Sequence, residues 1–121
     1  MHSAKKIIIA EDDHAISEVL TIILQEAGYE TTVMTTYKDI FSALQSHSYD
    51  LLLLDIWLSG EDGAEICKKL KDDKGIQDIP IILLSANEHI YEVAKKVHAD
   101  DVVQKPFDVD NLVLTVRKHL V

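Results

Sequence analysis

Short uninterrupted runs of apolar residues recur along the chain and predict buried strands. The strongest runs are KIIIA, LLLLD and IILLS, and ETTVM and DVVQ are weaker versions of the same pattern. Runs of this length without alternating polar residues are typical of strands covered on both faces, as in a parallel sheet between helices. The predicted strands span residues 6–10, 30–34, 51–55, 81–85 and 101–104.

The segments between these runs have the spacing of amphipathic helices. From Ile16 to Ala27 apolar residues recur three and four positions apart, and Gly28 is typical of a helix end. Asp13, just before this segment, is expected to cap the helix rather than to bind a ligand. Similar spacing predicts further helices around residues 40–44, 66–70, 90–97 and 109–120.

The alternation of strands and helices determines the predicted fold. Five strand–helix units indicate an α/β protein with a parallel sheet and right-handed crossovers. Five strands are too few to close an eight-stranded barrel. We therefore predict a flavodoxin-like (βα)5 fold, in which a doubly wound parallel five-stranded sheet has the strand order 2-1-3-4-5.

The composition fits a single domain that covers residues 1–121. The chain is 47% hydrophobic and 27% charged, which is ordinary for a globular protein. Its net charge of −9 argues against direct nucleic acid binding, because such binding relies on Lys and Arg. An acidic surface instead suits a metal cation or a partner with a basic patch.

The cysteine and hydropathy patterns indicate a cytoplasmic protein. Cys67 is the single cysteine, which excludes an internal disulfide and fits a reducing compartment. The apolar run near the N-terminus is shorter than the roughly seven residues of a secretory signal. No segment approaches the roughly 18 apolar residues of a membrane span, so no membrane partner is expected.

Charged and hydroxyl side chains follow four of the five predicted strands. Glu11 and Asp12 follow the first strand, Asp55 and Ser85 end the third and fourth, and Lys105 follows the fifth. In the order 2-1-3-4-5 these four strands are neighbours. Ligands of open α/β sheets bind at the carboxyl ends of the strands, so we expect these side chains to form one site.

The chemistry of such a site points to phosphoryl transfer. Three clustered carboxylates disfavour joint ionisation, and a hard cation such as Mg²⁺ relieves their repulsion. Lys105 adds a compact positive charge, and Ser85 adds a hydroxyl that can bond an oxyanion. These groups would neutralise phosphoryl oxygens while Asp55 acts as the nucleophile and forms an aspartyl phosphate.

Four motifs in this order resemble the receiver domain of two-component response regulators. IIIAEDD resembles the first strand and acidic pair of that family, and LLLLDIWLSGEDG resembles its phosphorylation segment. IILLSA resembles the strand that carries the hydroxyl residue, and QKPF resembles the lysine-proline motif. The resemblance covers essentially the whole chain.

The resemblance implies the metal and phosphate ligands. Asp55 would accept the phosphoryl group and contact Mg²⁺, for which Mn²⁺ can substitute. Asp12 would bind the cation directly, the backbone carbonyl of Trp57 would add a ligand, and Glu11 would act through a metal-bound water. Ser85 would turn toward the phosphoryl group.

The resemblance also implies a role for Lys105 and a set of partners. Lys105 would pair with the phosphoryl group, and the Lys105–Pro106 bond is expected to be cis. The expected donor is a sensor histidine kinase or a histidine phosphotransfer protein. The phosphorylated chain is expected to act on an effector domain, an output protein or a second copy of the chain. The chain would not be an enzyme, apart from self-catalysed phosphotransfer and slow autodephosphorylation.

Several positions depart from the commonest pattern of that family. Val102 stands where Tyr or Phe is usual, His98 where Gly is usual, and Ser59 where proline is common. Trp57 and Asn87 occupy two positions that the resemblance links to the lifetime of the phosphate. We predict that the bulky Trp57 shields the acyl phosphate and slows its hydrolysis.

Three alternative functions fit the same residues less well. A receiver that only docks, without phosphorylation, would be expected to have lost Asp55, the acidic pair or Lys105, and all are present. An aspartyl-phosphate phosphatase would need a second aspartate where this chain has Trp57. A flavodoxin-like cofactor binder would need hydroxyls after the first strand, where acidic side chains would repel a phosphate.

Overall fold

Five parallel strands form the central sheet of the computed structural model, which describes residues 4–120. In chain order the strands of this part are β1 (Lys6–Ala10), β2 (Glu30–Met34), β3 (Leu51–Asp55), β4 (Trp57–Leu58), β5 (Glu61–Asp62), β6 (Ile81–Ser85) and β7 (Asp101–Gln104). The sheet order β2-β1-β3-β6-β7 is the predicted order 2-1-3-4-5, because β4 and β5 form a separate hairpin. The predicted fold is confirmed, and the five sheet strands have the predicted bounds. Residues 1–3 and 121, which the predicted domain includes, lie outside the described residues.

The described residues contain the helices α1 (His14–Glu26), α2 (Tyr37–Gln45), α3 (Gly63–Lys71), α4 (Ile90–Val97) and α5 (Val109–Lys118). The Asp13 side chain accepts a hydrogen bond from the Ile16 N–H at 3.1 Å, so Asp13 caps α1 as predicted. At the end of α4, His98 has the left-handed φ of 61° that glycine usually supplies. Within residues 4–120, no helix combines the length and the apolar character needed to cross a membrane.

Apolar side chains cover both faces of the sheet and hold β3 at its centre. Alternate residues of β3 enter different layers. Leu52 and Leu54 pack with α2, α3 and α4, whereas Leu51 and Leu53 pack with α1 and α5. All four leucines are at most 1% exposed, which explains the absence of polar residues from the run. This packing on both faces fixes the strand that ends in Asp55.

The hairpin of β4 and β5 was not predicted. Trp57 pairs with Asp62 and Leu58 pairs with Glu61 in antiparallel register. The two turn residues between them, at positions 59 and 60, have φ values of 50° and 80°. Two consecutive left-handed residues fit the tight turns that connect hairpins, where Asn-Gly or Asp-Gly is the usual sequence signal. The Ser-Gly pair of this chain gives a weaker signal.

Candidate functional site

The carboxyl ends of β1, β3 and β7 bring three carboxylates and an ammonium group together. The Lys105 Nζ lies 2.9 Å from Glu11 Oε1 and 3.3 Å from Asp55 Oδ2. Carboxylate oxygens of Glu11, Asp12 and Asp55 lie within 4.8 Å of one another. The strand order therefore places these four predicted residues in one cluster, although they are far apart in the sequence. The Lys105–Pro106 peptide bond beside them is cis, as predicted.

Asp55 is a largely buried carboxylate at the end of the central strand. It is the last residue of β3, lies opposite Leu84 of β6 in the sheet register, and is 7% exposed. Its Oδ1 accepts a hydrogen bond of 3.3 Å from the Trp57 N–H, and its Oδ2 contacts Lys105. Both oxygens therefore face hydrogen-bond donors, which fix the orientation of the carboxylate.

Gly63 allows α3 to begin directly beside Asp55. Its N–H donates a hydrogen bond of 2.6 Å to the carbonyl oxygen of Ile56. A Cβ at this position would overlap the carbonyl oxygen of Asp55 and would lie 2.8 Å from the Cα of Ile56. Any larger residue would thus push the helix away from the carboxylate. A glycine in the loop after Asp55 is expected to keep the carboxylate accessible, but the close approach of Gly63 to the backbone could not be predicted, because it depends on the tertiary structure.

Glu11 is the most buried carboxylate of the cluster, with 1% exposure. Burial, and then the contact with Asp55, raise the pKa of Glu11 to about 7 against the opposing effect of Lys105. Burial alone would lower the pKa of the Lys105 ammonium, but its bond to Glu11 and the charge of Asp55 outweigh this effect and raise it. The cluster thus has more negative charge than one ammonium group balances.

The donor set fits a hard divalent cation. The Glu11 Oε2 is buried and has no hydrogen-bond partner among residues 4–120. A buried carboxylate oxygen without a partner is costly, and a metal-bound water or a cation would satisfy it. Oxygen ligands of this kind suit Mg²⁺ or Mn²⁺ rather than metals that prefer sulfur or imidazole.

Ser85 lies at the end of β6, next to the cluster. Its Oγ accepts a hydrogen bond of 2.9 Å from the Asn87 N–H, and its carbonyl accepts one of 2.8 Å from the Lys105 N–H. Within the described residues the hydroxyl makes no hydrogen bond to Asp55 or Lys105. Because the hydroxyl accepts from Asn87, its own proton remains available to an oxyanion.

Asp12 and Ser59 form a contact that the sequence analysis missed. The Asp12 Oδ2 accepts a hydrogen bond of 2.8 Å from the Ser59 N–H in the hairpin turn. In the family that the sequence resembles, proline is common at this position and has no N–H. The serine of this chain was therefore the one feature of the sequence that could have indicated the contact with Asp12. Trp57 precedes the turn by two residues and is 62% exposed.

Comparisons with known proteins agree with this fold. The family model of the response regulator receiver domain matches residues 7–117. The DNA-binding response regulator MtrA of Mycolicibacterium smegmatis is 35% identical over 118 residues, which cover 96% of this chain and 50% of that protein. The chain therefore spans about half the length of the curated relatives that it matches.

Solved receiver structures superpose closely on the chain. One is the signal receiver domain of a signal transduction histidine kinase from Syntrophus aciditrophicus, with a TM-score of 0.86 and 29% identity over 97% of this chain and 90% of that one. Another is the receiver domain of a sensor histidine kinase from Pseudomonas aeruginosa PAO1, which has a magnesium ion coordinated in its active-site cleft. It has a TM-score of 0.86 and 23% identity over 97% of this chain and 98% of that one, so this second likeness supports the fold alone.

Proposed function

The chain belongs to the response regulator receiver domain family, and on that premise we propose that it accepts a phosphoryl group on Asp55. The observation that carries the proposal is the setting of this carboxylate. It is held at the end of the central strand, 3.3 Å from the Lys105 ammonium and within 4.8 Å of oxygens from two further carboxylates. Such a site combines a fixed nucleophile with groups that balance phosphoryl charge.

Asp55 is the nucleophile of the proposed transfer. One of its carboxylate oxygens forms a bond to the phosphorus of a phosphohistidine on a sensor kinase or a phosphotransfer protein. The bond between phosphorus and the histidine nitrogen breaks, and its electron pair remains on the imidazole. The two hydrogen-bond donors at Asp55, Lys105 and the Trp57 N–H, fix the orientation of the carboxylate before the donor arrives.

Lys105 and Ser85 stabilise the phosphorylated state in this proposal. Lys105 exchanges part of its pairing with Asp55 for a phosphoryl oxygen, while its contact with Glu11 keeps it in place. Ser85 donates its hydroxyl proton to another phosphoryl oxygen after rotating from its present position near Asn87. Movement of Ser85 would be passed to α4 through the Asn87 segment, which is how a partner surface could sense phosphorylation without an aromatic residue at Val102.

The acidic cluster would hold Mg²⁺, or Mn²⁺ in its place. Asp12 and Asp55 would be direct ligands with the carbonyl of Trp57, and Glu11 would act through a water, which would satisfy its unpaired oxygen. A bound cation would supply positive charge to the phosphoryl oxygens. The receiver domain of the same fold from Pseudomonas aeruginosa, with its magnesium ion, is consistent with this assignment.

The domain would work within a larger signalling pathway. Its partners would be a histidine kinase or phosphotransfer protein as the donor, and an effector domain, an output protein or a second copy as the target. The relatives that the chain matches over half their length are named as DNA-binding response regulators. We assign any DNA contact of such a protein to its other half, because this domain has a net charge of −9.

Intact-mass spectrometry with acetyl phosphate and Mg²⁺ tests the proposed function. The wild-type protein should gain the mass of one phosphoryl group, and Asp55→Asn should gain none. Asp50→Asn is the matched control, because Asp50 lies just before β3 and bonds the Lys6 N–H at the opposite end of the sheet. A mass gain that persists in Asp55→Asn, or no gain in the wild type, contradicts the proposal.

A further inference from the structure

Ser59 connects three segments around the acidic cluster. Its N–H donates a hydrogen bond of 2.8 Å to Asp12 Oδ2, which belongs to the loop after β1. Its hydroxyl donates a hydrogen bond of 2.9 Å to the carbonyl oxygen of Thr35, in the loop after β2. The residue itself lies in the turn between β4 and β5. One side chain and one backbone group thus fasten the hairpin to both loops.

The bond to Asp12 requires the backbone N–H of Ser59 and a turn with left-handed residues. Its φ is 50°, in the left-handed region, and the following Gly60 has a φ of 80°. A proline has no N–H and is restricted to φ near −65°, so it could provide neither the bond to Asp12 nor this turn. The common proline of the family would therefore leave Asp12 without its hairpin partner.

The side-chain orientation of Asp12 depends on its hydrogen bond with Ser59, whereas the orientations of Glu11 and Asp55 are also fixed by burial. The Asp12 side chain is exposed, whereas Glu11 and Asp55 are buried and paired with Lys105. An exposed carboxylate samples several rotamers unless a hydrogen bond selects one. The Ser59 N–H selects one and leaves the second oxygen of the carboxylate free for a cation.

We propose that Ser59 is a positioning residue for the cation site, a role that rests on the proposed function. Its N–H orients Asp12 and carries this role, whereas its hydroxyl makes a separate contact with the loop after β2. Groups that orient a metal ligand typically change metal affinity about 10- to 100-fold when they are removed. Trp57 lies on the same hairpin and donates its N–H to Asp55, so cation binding should alter its fluorescence.

Titration of the apo protein with Mg²⁺, followed by Trp57 fluorescence and by the rise in Tm, tests the proposal. Trp57 is the only tryptophan of the chain, so the signal has one source. Ser59→Pro should raise the Kd for Mg²⁺ about tenfold or more, because it removes the N–H and the left-handed φ. Ser59→Gly keeps both and loses only the hydroxyl, so its Kd should stay within about threefold of wild type.

His47→Pro is the matched control for Ser59→Pro. His47 also has a left-handed φ, of 58°, and its N–H donates to the Leu44 carbonyl oxygen at 3.2 Å. It lies between α2 and β3, at the end of the sheet opposite the cluster. The control therefore damages an equivalent turn, and its Mg²⁺ affinity should equal that of the wild type.

Three outcomes would overturn the proposal. Wild-type Mg²⁺ affinity in Ser59→Pro would show that the contact does not position Asp12, and an equal loss in Ser59→Gly would assign the effect to the hydroxyl. An equal loss in His47→Pro would make the effect a general one on stability. If Ser59→Pro does not fold, an ester in place of the peptide N–H at position 59 removes the same donor and should show the same loss. A wild type that fails to bind Mg²⁺ would instead contradict the proposed cation site itself.

Discussion

Glu11 is a buried carboxylate of the cluster, and its raised pKa disfavours the ionised form when no metal is bound. Burial raises its pKa from an ordinary value of 4.5 to about 7, because the carboxylate loses water and lies beside Asp55. A carboxyl group with a raised pKa favours the folded state while it is protonated. Its contribution is therefore full below pH 4.5 and is lost as the pH rises through about 7.

Unfolding measurements at several pH values test whether the contribution of Glu11 to stability falls as the pH rises. Without metal, wild-type stability should fall relative to Glu11→Gln between about pH 5 and pH 8, by on the order of 1 to 3 kcal/mol. Added Mg²⁺ should stabilise the wild type more at pH 8 than at pH 5, because it favours ionised carboxylates. Denaturant unfolding at several pH values measures both effects, and parallel curves for the two proteins would contradict the assignment.

Trp57 is the residue expected to set the lifetime of the phosphate. Its backbone N–H bonds Asp55 Oδ1, and the residue is 62% exposed, so we expect its large side chain to limit the access of water to a phosphoryl group on Asp55. Trp57→Ala should therefore lose the phosphoryl group severalfold faster. Leu114→Ala is a suitable control, since Leu114 is 63% exposed on α5. An unchanged or slower rate in Trp57→Ala would refute the shielding hypothesis.

At the scale of elements, Lys71 joins α3 to the strands that follow it. Its Nζ lies 2.6 Å from Asp100 Oδ2 and 3.0 Å from the carbonyl oxygens of Gln77 and Ile79. The side chain is 9% exposed, and Asp100 also accepts a hydrogen bond from the Ile81 N–H at the start of β6. The ammonium thus bonds three acceptors from the segments that lead from α3 to β6 and β7.

Removal of this ammonium should weaken the whole domain. Lys71→Met removes the donor to two carbonyl groups and one of the two donors to a carboxylate, all at partly exposed positions, so we expect a loss of about 1 to 2 kcal/mol in the free energy of unfolding. Lys68→Met changes an exposed lysine of the same helix and should cost no more than about 0.5 kcal/mol. Urea unfolding measures both free energies, and equal effects would show that the contacts of Lys71 contribute little.

The elements differ in how far the sequence predicts them. The sheet strands were predicted with their bounds, because burial on both faces forces long apolar runs such as the leucines of β3. The hairpin was missed, because each of its strands has two residues and its Ser-Gly turn resembles many loops. The role of Lys71 was missed as well, since its acceptors come from three separate segments.

At the scale of the whole molecule, the strand order brings residues from separate sequence motifs together in one site. Glu11, Asp55 and Lys105 could be grouped from the sequence because they end strands that lie side by side in the order 2-1-3-4-5. Two further features could not be predicted: the contact of Ser59 with Asp12 and the close approach of Gly63 to Asp55. They depend on distances between loops, and no periodic pattern in the sequence reports those distances.

The central claim is that Asp55, among three clustered carboxylates, receives the phosphoryl group. Borohydride reduces an aspartyl phosphate to homoserine, so tandem mass spectrometry after phosphorylation by acetyl phosphate and Mg²⁺ can locate the modified residue. The account predicts homoserine at position 55 alone and none when Mg²⁺ is omitted. Homoserine at position 12, reduction at Glu11, or phosphorylated protein with no reduced residue at position 55 would contradict it.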